Sequence, residues 1–264
     1  MVGMSTASET VRRFTVHHDG VTIPVTRGGR GRRLVLCLGL NSTQADLDVL
    51  AALLRRDHDV VTFDLRGHGL ASAADRYSFA GFLGDLTAVL AEPSAPPVLV
   101  GYSMGADLAV HYASEHPGGV AGLVLIDGAN PVPEPFVTGA DLPAFRAMWE
   151  DLARQQAARG TARRVLLTGR EILDLNVEID GVRAGILERY RTVGVPVRMI
   201  MATSMAGTGD PRAERLNRTW RAGVERLVRE CPDVEASWLD ADHGLVFTRA
   251  PEIARIVRDA VTAL

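Results

Sequence analysis

VLVGYSMGADLAVHYASEHP (Val98–Pro117) joins an apolar run to a helical pattern with almost nothing between them, and it sets Ser103 between Gly101 and Gly105. A chain that turns so sharply from strand to helix forces the serine into a strained backbone conformation. Glycines two positions to either side let strand and helix pass without colliding side chains. The hydroxyl then projects at the C-terminal edge of a sheet, beside the positive end of the helix. A helix-capping serine is the plainer reading of Ser103, but it does not explain both glycines.

Working outward, the pattern on both sides of this seam is a βαβ alternation. Arg12 to His17 and Val21 to Thr26 read as a hairpin about His18-Asp19-Gly20. Leu34 to Leu38 is a continuous apolar run, as expected of a strand buried on both faces. Leu47 to Leu54 reads as a helix and Val60 to Phe63 as a strand. Phe82, Leu83, Leu86, Val89 and Leu90 then recur at helical spacing. After the strand Gly122 to Ile126 the rhythm breaks. The Asn130–Pro135 stretch is too rich in proline for helix or strand. From there to Pro196 run about 65 residues with no clear strand, far beyond an ordinary connection of about 4–6. Leu142, Phe145, Met148, Trp149 and Leu152 form one helical stripe, and Val182, Ile186, Leu187 and Tyr190 another. This predicts a helical cap packed over one end of the sheet. Val197 to Ala202 resumes the strand pattern. An amphipathic helix (Leu216, Trp220, Val224, Leu227), the strand Val234 to Leu239 and a closing helix Ile253 to Val261 follow. The expected organisation is an α/β core over 1–127 and 196–264, with the cap at 128–195.

Composition narrows the function classes. Hydrophobic residues at 47% and charged residues at 23% are ordinary for a soluble domain with a real core. A net charge of -3 gives no reason to expect nucleic acid or an acidic membrane as partner. All 29 basic residues are arginine, which excludes a pyridoxal Schiff base and a P-loop lysine. Cys37 lies in an apolar run as a buried thiol, and the two cysteines have no metal or disulfide spacing, which fits a reducing cytoplasm. Met1 to Thr10 lacks the apolar stretch of a signal peptide, and no run approaches the roughly 18 apolar residues of a membrane span. The expectation is a cytoplasmic protein with no membrane partner.

The segment from Val98 through Asp127, together with VVTFDLRGHGLAS (Val60–Ser72), resembles the α/β-hydrolase family. The resemblance covers nearly the whole chain. It implies a mostly parallel eight-stranded sheet flanked by helices, with the cap inserted after the sixth strand. It makes Ser103 the nucleophile and places the general base at His243, in Asp240-Ala241-Asp242-His243-Gly244, after the last strand. The family's usual acid position follows the strand Val197 to Ala202. Asp210 is the only carboxylate between that strand and the next helix, although Asp-Pro is also a good helix start. Asp127, at the end of the preceding strand, is the alternative that some members use. The oxyanion hole falls to the main-chain N–H groups of Met104 and Leu40. Many members carry His-Gly at the start of the second loop, where this chain has Leu38-Gly39. Asn41, Tyr102, Trp149 and Leu245 are the candidate substrate contacts, and Phe136, Phe145, Met148 and Tyr190 are further cap residues of which some line an acyl pocket.

The resemblance thus implies a serine hydrolase of a carboxylic ester, lactone or thioester, acting on a small acyl compound with an apolar portion, without metal or cofactor. An acyltransferase, a cyclising thioesterase or a carbon–carbon bond hydrolase uses the same site. Epoxide hydrolases and haloalkane dehalogenases of the family place aspartate at the elbow, so Ser103 argues against both. A ligand-binding protein on this fold, without catalysis, is the alternative of another class.

Overall fold

A computed structural model describes residues 11–92, 95–132 and 134–263. The expectation for the first ten residues, and the central proline of Pro131–Pro135, lie outside them. Eight strands form one sheet: β1 (Arg12–His18), β2 (Val21–Gly28), β3 (Arg33–Cys37), β4 (Asp59–Phe63), β5 (Val98–Tyr102), β6 (Gly122–Ile126), β7 (Val197–Ala202) and β8 (Val234–Leu239). Their spatial order is β1-β2-β4-β3-β5-β6-β7-β8. β2 runs antiparallel to both neighbours, and β4 through β8 are mutually parallel with β3.

The continuous apolar strands are explained by burial on both faces. In β3, Leu34 and Leu36 face one apolar layer, while Val35 and Cys37 face the other. The first layer is closed by α1 (Asp48–Arg55), α8 (Leu245–Thr248) and α9 (Ala250–Thr262). On the opposite face lie α2 (Phe79–Leu90), α3 (Met104–Glu115) and α7 (Pro211–Glu230). Helix starts follow local chemistry: the Ser78 hydroxyl accepts from Gly81 N–H at 3.1 Å at the head of α2.

Between β6 and β7 run α4 (Leu142–Ala157), a 3₁₀ turn (Thr161–Arg163), α5 (Gly169–Ala184) and α6 (Ile186–Tyr190). The apolar stripe Val182–Tyr190 reads as one helix in sequence, but it is divided at Gly185 between α5 and α6. A Thr168–Glu171 capping box starts α5. Among the described residues no helix is long and apolar enough to cross a membrane.

The chain passes from β3 outward to β4, then crosses back to β5 on the other side of β3. Loops leaving β3 and β5 therefore diverge, and a crevice opens at the carboxyl ends of the strands. Ser103 sits at that crevice. The two glycines beside it serve close packing: a Cβ on Gly105 would lie 2.1 Å from the Cys37 carbonyl oxygen, and one on Gly101 would lie 2.5 Å from Ala106 Cα. Both obstacles are backbone, so neither can move aside. Gly105→Ala is expected to lower unfolding free energy by about 3 kcal/mol or more through overpacking, read from a shifted urea midpoint.

Candidate active site

Ser103 has φ 53° and ψ −124°, the strained geometry that the elbow predicts. Its N–H donates to Ile126 O at 2.9 Å, which ties the elbow to β6. The Ser103 Oγ lies 3.0 Å from Nε2 of His243. His243 comes from the loop after β8, where the Asp242 carboxylate accepts the Gly244 N–H at 2.8 Å and shapes the turn. The Tyr102 hydroxyl, held protonated as burial pushes its phenol up, donates to the His243 carbonyl at 2.9 Å.

The carboxylate on His243 is Asp127, and this corrects the first choice made from sequence. Asp127 Oδ2 lies 2.7 Å from His243 Nδ1. Asp127 is fully buried at the end of β6 with φ 45°, and its Oδ1 accepts from Ala202 N–H at 3.1 Å and from the Trp220 indole N–H at 2.9 Å. Asp210 instead caps α7, its Oδ1 accepting from Ala213 N–H at 2.8 Å. The physical reason is reach. Seven residues separate β7 from Asp210, and that loop is pinned to α7 by Ala206 N–H donating to Asn217 Oδ1 at 2.8 Å. Asp127 follows its strand directly.

A cavity of about 280 Å³ opens onto Ser103, Met104, Leu40 and His243. Phe136, Phe145, Met148 and Trp149 form apolar wall, as the helical stripe suggests, continued by Trp220, which meets Phe136 edge-on at 5.7 Å, and by Leu216, which packs with Phe145. Tyr190 is not part of it: it is buried in the core with its hydroxyl on Ala129 O at 2.8 Å. Three of the four candidate substrate contacts also lie elsewhere. Tyr102 is buried beneath His243, Leu245 is fully buried in the layer under α9, and Asn41 does not line the cavity and offers its carbonyl to Gln156 Nε2 at 3.1 Å. Of the four, only Trp149 faces the cavity. Among the described residues, neither Leu40 N–H nor Met104 N–H donates to a protein acceptor.

Of the polar wall, sequence reasoning named Asp210, which lines the cavity, and missed the rest. Asn176, Asp180 and Arg183 project from α5 at helical spacing, and Arg212 from α7. Arg183 is held by fully buried Asp107 through two N–H groups, at 2.7–3.1 Å. Burial pushes the Asp180 carboxyl up, while its Oδ2 accepts from Val137 N–H at 3.0 Å. Residues 176, 180 and 183 share one face of a helix, but an acid–base pair at that spacing is indistinguishable in sequence from a solvated helix surface.

Residues 33–169 match the family model described as the alpha/beta hydrolase fold, just over half of the chain. The chain belongs to the alpha/beta hydrolase fold family. Within that family it is similar to N-formylmaleamate deformylase of Pseudomonas putida, 30% identical over an alignment of 146 residues, with 47% of this chain and 54% of the relative covered. The match thus spans about half the length of that curated relative. Two solved alpha/beta hydrolase folds are similar over nearly the whole chain. The thioesterase domain from the curacin biosynthetic pathway has a TM-score of 0.71 at 19% identity, covering 94% of this chain and 99% of its own. Est816, an N-acyl homoserine lactone degrading enzyme, has a TM-score of 0.70 at 21% identity, with 93% and 99% covered.

Proposed function

We propose that this alpha/beta hydrolase is a serine hydrolase that cleaves a carboxylic ester, lactone or thioester through an acyl-enzyme on Ser103. The observation that carries the reading is the unbroken relay Ser103 Oγ–His243–Asp127, with contacts of 3.0 and 2.7 Å. A serine hydroxyl is a poor nucleophile until a base takes its proton. His243 Nε2 accepts that proton as Oγ attacks the acyl carbon. Asp127 receives the Nδ1–H, which leaves Nε2 as the lone-pair nitrogen, and its buried charge stabilises the imidazolium. The developing oxyanion is met by the Leu40 and Met104 N–H groups, each contributing roughly 3–4 kcal/mol, and by the positive end of α3. The imidazolium returns its proton to the leaving group. Water, deprotonated by His243, then releases the acid.

The helices between β6 and β7 act in this reading as a cap that supplies an apolar wall for the acyl chain. Removal of a formyl group, as in the name of the Pseudomonas relative, is the same acyl transfer to water, so N-formyl amides belong beside esters, lactones and thioesters in an assay panel.

The acyl-enzyme is tested by partition. With several leaving groups on one acyl group and methanol added, methyl ester and free acid are expected in one constant ratio, because both arise from a common intermediate. A ratio that changes with the leaving group would mean direct attack by water and would remove the covalent step.

A further inference from the structure

We propose that Ser42, His68 and Gln156 are positioning residues of the oxyanion hole, each holding one of three consecutive carbonyl oxygens so that Leu40 N–H stays turned toward the reacting acyl group. The inference rests on the acyl-enzyme reading above.

The loop after β3 runs Gly39-Leu40-Asn41-Ser42. Gly39 O accepts from Ser42 N–H at 3.2 Å and from Ser42 Oγ–H at 3.0 Å. Leu40 O faces Nε2 of His68 within hydrogen-bond reach, and Asn41 O accepts from Gln156 Nε2 at 3.1 Å. A peptide is planar and trans, so the donors on Gly39 O also fix the direction of Leu40 N–H, which points the opposite way. Any buried carbonyl seeks a donor. What sets this loop apart is that three in a row are filled while the N–H beside the nucleophile is left open. The loop lies against that nucleophile: a Cβ on Gly39 would come 3.1 Å from Ser103 Cβ.

Each donor comes from a separate element, and the two distant ones are themselves held. His68, fully buried, is in the turn after β4, where Gly67 and Gly69 have φ of 72° and 54°. Its Nδ1 lies 2.8 Å from Arg66 O, and Phe82 meets its ring edge-on at 5.9 Å. Arg66 in turn grips fully buried Asp85 through Nε at 2.9 Å and Nη2 at 2.7 Å. Leu40 O and Arg66 O are both acceptors, so the two contacts together take a proton on each ring nitrogen of His68. Gln156 is buried near the C-terminus of α4, and its Oε1 accepts from Arg159 Nη1 at 2.9 Å. Arg159 also pairs with Asp46 in the segment leading to α1. Leu38 stands where many members carry histidine, and in this chain the loop is held from the turn after β4 and from α4. A shift of α4 would therefore be felt at the hole.

The test is kinetic, with 4-nitrophenyl acetate as substrate and a trifluoromethyl ketone as tetrahedral-state mimic. Ser42→Ala and Gln156→Met are expected to lower kcat by about 5- to 30-fold with little change in KM, below the ~10²–10³ of deleting a hole donor outright. Affinity for the ketone should fall by the same factor as kcat/KM. His68→Phe keeps the ring and loses the donors, and is expected to cost about 10- to 100-fold in kcat; His68→Gln, which keeps an N–H at similar reach, should recover most of it. Should the His68 variants fail to fold, the other two decide. Unchanged kcat and ketone affinity in Ser42→Ala and Gln156→Met, or a His68→Gln no better than His68→Phe, overturns the assignment while leaving the acyl-enzyme intact. A wild type that neither hydrolyses the ester nor reacts with a fluorophosphonate overturns both.

Discussion

Ser103→Ala is expected to lower kcat on any hydrolysed ester by on the order of 10⁶, the loss seen when a triad nucleophile is removed. The change is small in every other respect. Alanine keeps the Cβ and the backbone at φ 53°, and among the described residues the hydroxyl's side-chain partner is His243 at 3.0 Å. Folding should therefore be close to that of the parent, and thermal unfolding measured beside the kinetics checks it. A folded variant that retains more than about a hundredth of the activity would mean that the oxygen attacking the acyl carbon is not Ser103.

The second large effect concerns the acid. Asp127→Asn is expected to cost about 10⁴ in kcat through the wrong imidazole tautomer. An amide facing Nδ1 offers N–H in place of a lone pair, the proton moves to Nε2, and Nε2 can no longer accept from Ser103. Asp210→Asn should change kcat by less than about threefold, because asparagine caps a helix nearly as well as aspartate and Asp210 touches Ala213 rather than His243. The two variants assayed side by side separate the carboxylates. A severe loss in Asp210→Asn with a mild one in Asp127→Asn would restore the sequence's first choice.

That reversal shows where a sequence stops being readable. The order of strands and helices was legible because burial on both faces leaves continuous apolar runs, as in Leu34–Cys37 and Gly122–Ile126. The elbow was legible because backbone contact at Gly101 and Gly105 admits no other residue without displacement. Ser103 and His243 are brought together across 140 positions, and each stands at the carboxyl end of its strand, which the alternation locates. Choosing between two carboxylates needs distances. Asp127 and Asp210 both follow strands, and only the pinned loop from Thr203 to Gly209 decides which one faces the imidazole. Trp220 is harder still: as part of an apolar stripe it reads as core, and its N–H on Asp127 leaves no trace in the pattern. The substrate contacts went astray for a similar reason. Tyr102 and Leu245 stand close to Ser103 and His243 in sequence, yet neighbours on a strand or a tight turn point to different sides. Between β6 and β7, helical periodicity located Phe145 and Trp149 on the cavity side but gave no sign of Asp180 and Arg183 on α5.

The catalytic account depends on one activated hydroxyl. Its most direct test is incubation of the folded wild type with a fluorophosphonate, followed by peptide mapping. A single adduct on the peptide holding Ser103, absent from His243→Ala under the same exposure, is the predicted result. A protein that stays unmodified at this serine would leave a hydrolase fold without serine chemistry, and one labelled equally without His243 would remove the histidine as its base; either result contradicts the account.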